Sequence, residues 1–271
     1  MIDKALILAA GKGTRMWPLT DNTPKPLLPL GGIPIIKRQI DELKKVGVEN
    51  VYVLIGYQMK EISDFLGSGK EHGVKIEYIV QAEQKGTGHA ILQAEGKING
   101  KFYCINGDTT IDRKNLEQMR GNTNNACMMV TKVNDASRFG VVNSKNGKLI
   151  SIIEKGMSGE AMINAGQYVF SEKIFGSIKK VEKSERSEYE ITDALQAISE
   201  NVGVIEYEGF WKDIGSPWDL ITANESIISN IDEEVKGQIE DDVTVKGKVY
   251  IGKNSVIKSG SYIEGNVWIG D

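Results

Sequence analysis

The stretch Ala5-Leu-Ile-Leu-Ala-Ala-Gly-Lys-Gly-Thr-Arg-Met-Trp-Pro18 decides the fold of this 271-residue chain. Its first five residues, Ala5 to Ala9, form a short apolar run that is typical of a strand buried on both faces. A glycine-containing loop follows at once, and small residues there let a ligand approach the backbone. Ligands of open α/β sheets bind at the carboxyl ends of the strands. The stretch therefore predicts an α/β fold with a binding site at the end of its first strand.

The next hundred or so residues alternate between strand and helix patterns. Apolar runs at Val51–Ile55, Val74–Val80 and Phe102–Ile105 predict strands, and the helical spacing of apolar residues between them predicts helices. This alternation is typical of a Rossmann-like, mostly parallel sheet with helices on both faces. After Asp112 the pattern loosens, and short strand patterns predict a small antiparallel extension. Later helices are predicted at 174–178, 191–198 and 217–229.

The C-terminal tail has a different period. Aliphatic residues recur every six positions, at Ile239, Val245, Ile251, Ile257, Ile263 and Ile269. This period fits neither a helix nor an ordinary strand, and it is typical of the hexapeptide repeat of a parallel β-helix. An irregular hairpin tail is the alternative. We expect one domain at residues 1–230 and a linker with a partial β-helix at residues 231–271.

The hexads in residues 239–271 supply fewer than two three-sided coils. Solenoids need several repeats and a polar cap to be stable alone. We therefore expect either a truncated form of a longer protein, or a short form that covers its open β-helix end in an oligomer.

Composition limits the function classes. The chain has 33 Lys and Arg against 37 Asp and Glu, a net charge of −4, which argues against broad nucleic-acid binding. No run of about 18 apolar residues predicts a membrane helix, and the N-terminus is too short and too soon broken by glycine for a signal peptide. Cys104 and Cys127 lie in apolar runs and predict buried thiols rather than a disulfide. The expected location is cytoplasmic.

The loop after the first strand has the residues of an anion site. Gly11 and Gly13 allow successive backbone N–H groups to hold phosphate oxygens, and Arg15 and Lys25 would add positive charge. A tight turn with solvated basic residues is the alternative. Met16 stands where a dinucleotide fingerprint needs a third small residue, which excludes that motif. The spacing also excludes a Walker A loop.

These residues resemble the signature of the sugar-1-phosphate nucleotidylyltransferases, G-x-G-T-R-x-x-P followed by P-K-P. The matching positions are Gly11, Gly13, Thr14, Arg15, Pro18 and Pro24-Lys25-Pro26. Later segments that also resemble the family are Gln81–Ala90, Asn106-Gly107-Asp108, Phe139-Gly140, Glu154-Lys155, Asn164-Ala-Gly166 and Trp211–Gly215. The resemblance covers about residues 4–228.

Two of these segments point to different members of the family. Gln81–Ala90 closely resembles the uracil-reading segment of the bacterial bifunctional N-acetylglucosamine-1-phosphate uridylyltransferase. Trp211–Gly215 is more similar to the glucose-1-phosphate uridylyl- and thymidylyltransferases, because the bifunctional enzyme has Asn where this chain has Asp213.

The resemblance implies an enzyme that transfers a nucleoside monophosphate from UTP or dTTP to a sugar-1-phosphate, with glucose-1-phosphate favoured, and releases pyrophosphate. Its expected partners are the nucleoside triphosphate and the sugar-1-phosphate, with no nucleic acid and no membrane. It also implies a homo-oligomer and a left-handed β-helix. One alternative is the N-acetylglucosamine-1-phosphate uridylyltransferase half of a truncated bifunctional enzyme. Another is a catalytically silent homologue that binds a nucleotide-sugar.

The resemblance assigns catalytic and metal-binding roles. Asp108 and Asp213 would bind Mg²⁺, which takes few carboxylates and keeps waters and phosphate oxygens. From the residues alone, a turn or helix cap is the better prediction for Asp108, and Asp112 is predicted to be a cap. Arg15 and Lys25 would hold the triphosphate and its α-phosphate.

The resemblance also assigns the substrate contacts. A glutamine amide offers a donor and an acceptor, which suits a pyrimidine edge with O4 and N3–H. The implied nucleotide-binding residues are Ala10, Gly11, Gly13, Thr14, Gln81, Gly86 and Thr87. The implied sugar-phosphate residues are Gly140, Glu154, Lys155 and Asn164. His89 is expected to pack the loop, and Thr192 and Asp193 are expected to cap a helix.

Overall fold

The structure is a computed structural model that describes residues 2–122, 124–154 and 157–271. The first half of the chain contains β1 Lys4–Leu8, β2 Pro29–Leu30, β3 Ile33–Pro34, α1 Ile35–Lys45, β4 Asn50–Ile55, α2 Met59–Leu66, β5 Lys75–Val80, α3 Thr87–Leu92, β6 Lys101–Asn106 and α4 Arg113–Arg120. It continues with β7 Ala126–Val133, β8 Val141–Lys145, β9 Lys148–Ile153, β10 Ala161–Ser171, α5 Lys173–Ile178, α6 Ile191–Ala197, β11 Val202–Tyr207 and α7 Pro217–Ser229.

The main sheet has nine strands in the order β5-β4-β1-β6-β10-β7-β11-β9-β8. The strands β5, β4, β1 and β6 are parallel to one another, whereas β10 runs antiparallel to β6 and β7. The hairpin of β8 and β9 forms an antiparallel extension. These findings confirm the predicted fold. Because the parallel strands end at the same edge, the loops that follow β1, β5 and β6 meet there.

Helices cover both faces of the sheet. In β1, Leu6 packs into the core that contains residues of α3, α5 and α6, and Ile7 packs into the core that contains residues of α1, α2 and α4. Neither side chain is exposed to solvent. Cys104 and Cys127 are free and buried on opposite faces, as predicted, and burial raises the pKa of both thiols.

The sequence pattern did not predict α4 or β11. Leu116 and Met119 are the apolar residues that α4 buries, too few to show a helical period. The helix is instead marked by its cap, because the Asp112 carboxylate accepts a hydrogen bond of 2.9 Å from the backbone N–H of Asn115. The predicted capping role of Asp112 is therefore confirmed. The strand β11 pairs in parallel with β7 near the far side of the sheet.

The tail forms three short parallel sheets around a coil. Its strands are β12 Glu234–Val235, β13 Gln238–Ile239, β14 Thr244–Lys246, β15 Val249–Ile251, β16 Val256–Ile257, β17 Tyr262–Glu264 and β18 Val267–Ile269. Val249 pairs with Val267, and Thr244 pairs with Tyr262, so each strand pairs with the strand three hexads further along the chain. This pairing confirms the predicted β-helix, and the hairpin alternative is wrong. No helix in the part of the chain that the structure describes is long and apolar enough to cross a membrane.

Candidate active site

A cavity of about 520 Å³ lies at the carboxyl edge of the parallel strands. The loops that follow β1 and β6 and the segment between β5 and α3 line it. The cavity brings together ten of the residues that the sequence analysis assigned to the site: Ala10, Gly11, Gly13, Thr14, Arg15, Lys25, Gln81, Gly86, Thr87 and Asp108. A cavity therefore lies at the end of the first strand, where the sequence predicts a binding site.

Gly13 brings the first loop against Lys25. Its φ of +63° is left-handed, and a Cβ at this position would lie 3.1 Å from the Lys25 Cβ. The hydroxyl of Thr20 donates a hydrogen bond of 3.0 Å to the Gly13 carbonyl, which holds the turn. A larger residue at Gly13 would strain the backbone and push Lys25 away from the cavity.

The segment after β5 is tied to the same loop. Gln84 donates a hydrogen bond of 2.6 Å from its side-chain amide to the Ala10 carbonyl. Gly86 has a φ of +100°, and a Cβ there would lie 2.6 Å from the Tyr189 carbonyl oxygen. Gln81 is 6% exposed and lines the cavity between these contacts. The two loops therefore form one wall with little room for side-chain change.

Asp108 and Asp213 are held next to each other by the backbone. Thr109 and Asp213 form an isolated antiparallel bridge, and the Ile214 N–H donates a hydrogen bond of 2.9 Å to the Asp108 carbonyl. The Nζ atom of Lys25 lies 2.6 Å from Oδ2 of Asp108. Burial and the charge of Asp108 raise the pKa of Asp213 to about 6. Two carboxylates forced together in this way favour a bound cation.

Arg138 also reaches this pair, and the sequence analysis did not assign it to the site. Its Nη2 atom lies 3.4 Å from Oδ2 of Asp213 and 3.2 Å from Oδ2 of Asp219. Lys212 contacts the other oxygen of Asp219 at 2.9 Å. The signal that could have found Arg138 is its position directly before the Phe139-Gly140 segment.

The family model described as nucleotidyl transferase matches residues 4–230, which include this whole constellation. The chain belongs to the nucleotidyl transferase family.

Relatives and solved structures agree with this assignment. The bifunctional protein GlmU of Methanococcus maripaludis is 40% identical over 263 residues, which cover 95% of this chain and 62% of the relative. A bifunctional sugar-1-phosphate nucleotidylyltransferase/acetyltransferase of Sulfurisphaera tokodaii is 39% identical over 270 residues, covering 96% of this chain and 64% of the relative. A solved structure from Bacillus anthracis described as a glucose-1-phosphate thymidylyltransferase has a TM-score of 0.76 and 33% identity, over 85% of this chain and 97% of that one. The chain thus spans less than two thirds of the length of these two relatives.

The residues of this nucleotidyl transferase fit a magnesium ion at Asp108 and Asp213. Mg²⁺ usually binds through one or two carboxylates and completes its shell with waters and substrate phosphates. Within the described ranges, no group of three or more His, Cys, Asp or Glu side chains is placed to hold a metal. Asp108, which lines the cavity, and its neighbour Asp213 form the donor set that a metal shared with a phosphate-bearing substrate requires.

The predicted sugar residues form a second group outside the cavity lining. The backbone N–H of Asn164 donates a hydrogen bond of 2.9 Å to the Gly140 carbonyl, and a Cβ on Gly140 would lie 3.6 Å from Oε1 of Glu154. Lys155 lies outside the described residues. Of the two predicted metal-binding residues, Asp213 does not line the cavity, although Gly215, two positions further along, does.

The predicted sugar-phosphate residues are connected to the cavity through β10. This strand has a register shift between Asn164 and Tyr168, where Gly166 approaches the end of β6. A Cβ on Gly166 would lie 2.3 Å from the side-chain nitrogen of Asn106, which lines the cavity. The two groups of predicted residues are therefore neighbours.

Thr192 and Arg186 hold the Glu154 carboxylate, a role that the sequence analysis missed. The Thr192 hydroxyl donates a hydrogen bond of 2.5 Å to Oε1, and Arg186 contacts Oε2 at 3.3 Å. The expectation that Thr192 and Asp193 cap a helix is wrong, because Glu190 is the N-cap residue of α6 and the Ile191 N–H at that end donates to the Thr87 hydroxyl.

Proposed function

We propose that this chain transfers a nucleoside monophosphate from UTP or dTTP to a sugar-1-phosphate, releasing pyrophosphate and forming a nucleotide-sugar. In this reaction a sugar phosphate oxygen attacks the α-phosphorus in line. The protein must align two anions that repel each other and neutralise the charge on their oxygens. The observation that carries the proposal is the meeting of Lys25 with Asp108 and Asp213, beside Arg15 and the Gly11–Gly13 backbone.

The charged residues have separate tasks in this proposal. Arg15 and Lys25 bind the triphosphate and stabilise the α-phosphate as its charge develops. The backbone N–H groups of the loop at Gly11–Gly13 add neutral donors to the same oxygens. Asp108 and Asp213 would hold Mg²⁺, which supplies positive charge to the phosphate oxygens.

Pyrimidine selection is assigned to the wall made by Gln81, Gly86 and Thr87, together with the backbone of Ala10 and Gly11. The Gln81 amide can donate to O4 and accept from N3–H. The tight contact of Gly86 with Tyr189 keeps this wall flat, which suits a planar base. The assignment favours UTP or dTTP over a purine nucleotide.

Glucose-1-phosphate is the favoured acceptor. It would contact Gly140, Glu154 and Asn164, with Lys155 on the sugar phosphate. The Asp at position 213 and the likeness to a glucose-1-phosphate thymidylyltransferase support this choice. N-acetylglucosamine-1-phosphate is the second candidate, supported by the Gln81–Ala90 segment and by the bifunctional relatives.

We also propose that the chain divides into a transferase domain at residues 1–230 and a linker with a partial β-helix at residues 231–271, and that it forms a homo-oligomer. The extent of the family match and the start of the hexads support the boundary.

The proposal is tested by pyrophosphate release. The chain is mixed with Mg²⁺, with UTP or dTTP, and with glucose-1-phosphate or N-acetylglucosamine-1-phosphate. We expect release with at least one pair, and the preferred pair identifies the substrates. Binding of a nucleotide-sugar without any release from the four pairs would favour the catalytically silent homologue and overturn the proposal.

A further inference from the structure

His89 contacts the side chain of Gln81, which lines the cavity, but His89 itself is not among the lining residues. Its Nδ1 atom is 3.1 Å from the side-chain amide nitrogen of Gln81. Its Nε2 atom is 3.2 Å from the side-chain amide nitrogen of Gln93, one turn further along the chain. Each ring nitrogen therefore lies close to the side-chain amide of a glutamine. One of these two glutamines, Gln81, also lines the cavity.

The ring is neutral at ordinary pH. Burial and the charge of Lys85 lower the pKa of His89, and Glu83 opposes the shift only in part. A neutral imidazole has one N–H and one lone pair, so its two amide partners must face it with opposite atoms. Gln93 is fixed independently, because its amide nitrogen donates a hydrogen bond of 3.1 Å to the His89 carbonyl. Nε2 therefore accepts from Gln93, and Nδ1 carries the N–H. The ring then bonds the oxygen of the Gln81 amide, so it favours the amide turned end for end from the placement in which the Gln81 nitrogen faces Nδ1.

The orientation of the Gln81 amide matters because uracil and thymine place hydrogen-bond donors and acceptors on this edge in the reverse order to cytosine. Uracil and thymine present O4 as an acceptor and N3–H as a donor. Cytosine presents an amino donor in place of O4 and an unprotonated N3 as an acceptor. An amide turned end for end exchanges its oxygen and nitrogen, and so exchanges the edge that it can pair with.

We propose that His89 is a positioning residue that fixes the orientation of the Gln81 amide and thereby sets selectivity for uracil or thymine over cytosine. This inference rests on the proposed function, because it takes Gln81 as the base-reading residue. His89 itself does not touch the base. It acts through one partly buried hydrogen bond, so its loss should free the amide to turn and leave the rest of the cavity in place.

The experiment compares UTP, dTTP and CTP as substrates of the wild type, His89→Leu and His89→Asn, with saturating sugar-1-phosphate and Mg²⁺. Leucine fills similar space without a polar atom, whereas asparagine keeps a polar group near the place of Nδ1. We expect His89→Leu to lower the UTP-to-CTP ratio of kcat/KM about tenfold, mainly through a higher KM for UTP. His89→Asn should recover part of the ratio.

Two controls separate positioning from general damage. Ile91→Val trims a buried residue of the same helix without reaching Gln81, and it should leave the ratio unchanged. Gln93→Leu frees the tautomer and should lower the ratio in the same direction as His89→Leu. If His89→Leu does not fold, His89→Asn and Gln93→Leu carry the test.

Equilibrium binding of UTP and CTP is measured on the same proteins. An unchanged UTP-to-CTP ratio in folded His89→Leu and Gln93→Leu would overturn the inference while wild-type turnover upholds the proposed function. If the wild type binds nucleotides but releases no pyrophosphate, the proposed function fails, and the binding ratios still decide whether His89 sets the preference.

Discussion

The Nζ atom of Lys25 lies 2.6 Å from Oδ2 of Asp108, although 83 residues separate them in the chain. Lys25 is only 8% exposed, and it leaves the Pro24-Lys25-Pro26 turn toward the end of β6. The ammonium therefore lies where it partly balances Asp108 and the neighbouring Asp213. In the proposed reaction, this ammonium can exchange its carboxylate partner for a phosphate oxygen in the cavity that it lines.

Replacing this cation should reduce both catalysis and stability. We expect Lys25→Met to lower kcat about 100- to 1000-fold, the usual cost of losing one group that stabilises developing charge. It should also lower the melting temperature, since Asp108 then lacks its ion-pair partner and Asp213 loses one of its nearby positive charges. Lys25→Arg, which keeps the charge but crowds Gly13, is the matched variant and should retain more of both. Wild-type turnover in Lys25→Met would contradict the assignment.

Asp108→Asn is expected to abolish turnover and leave the fold intact. The amide keeps the size of the side chain but removes the charge that would bind Mg²⁺. Pyrophosphate release measures the first effect and circular dichroism the second. Added Mg²⁺ should raise the melting temperature of the wild type, by mass action, and not that of the variant. An Asp108→Asn protein that turns over at the wild-type rate would refute the metal assignment.

Asp213→Asn should stabilise the metal-free protein while abolishing its activity. The pKa of Asp213 is raised to about 6 by burial and by Asp108, so ionising this group costs the folded state more than the unfolded state. Stability contributed by the protonated carboxyl is lost as pH rises from about 4 through about 6. At pH 7 we expect the free energy of unfolding of the variant to exceed that of the wild type by about 1–3 kcal/mol.

Urea titrations in the presence of a chelator measure this difference. It should shrink toward zero as pH falls below about 4, where the wild-type group becomes protonated in both states. If the variant is less stable than the wild type at pH 7, attraction between Asp213 and the nearby cations outweighs burial and its repulsion by Asp108.

Local patterns predicted the parts of the molecule that local physics determines. A strand covered on both faces, such as β1, needs a continuous apolar run, and the β-helix needs one inward aliphatic residue per hexad. In the first loop, Gly13 has a left-handed backbone that disfavours a side chain, whereas Gly11 has open space around it. The order of the sheet and the reversal of β10 had no such local signal.

The missed site residues depend on contacts between distant segments. Arg138 is a loop residue whose partners Asp213 and Asp219 lie 75 and 81 positions further along the chain. The neighbouring sequence predicts a helix-capping role for Thr192. Its hydroxyl instead donates a hydrogen bond to Glu154, 38 positions away. Neither contact leaves a period or a composition bias in the sequence. The packing of α6 against β9 brings Thr192 to Glu154, the residue that follows β9.

Asp219 should contribute stability that is lost only in strong acid. Burial alone would raise the pKa of this carboxyl, but hydrogen bonds from Ser216, Lys212 and Arg138 lower it to about 2. The contribution is complete above the ordinary value of 3.8 and disappears as pH falls through about 2. We expect Asp219→Asn to cost about 1–2 kcal/mol of unfolding free energy at pH 7, since Arg138 is partly exposed. Denaturant unfolding at several pH values should show the gap closing below about pH 4. A gap that does not depend on pH would indicate a packing effect instead.

The hydroxyl of Thr192 should matter for the sugar-1-phosphate and not for the nucleotide. It donates to Oε1 of Glu154, and this bond leaves Arg186 on the other carboxylate oxygen. Thr192→Val keeps the shape of the side chain and removes the donor, so Glu154 becomes free to turn away from the sugar. We expect KM for the sugar-1-phosphate to rise about 3- to 10-fold, with KM for the nucleoside triphosphate nearly unchanged. Thr192→Ser retains the hydroxyl and should behave like the wild type. Initial rates with each substrate varied in turn separate the two constants, and an equal rise in both would mean that Thr192 supports the whole cavity rather than the orientation of Glu154.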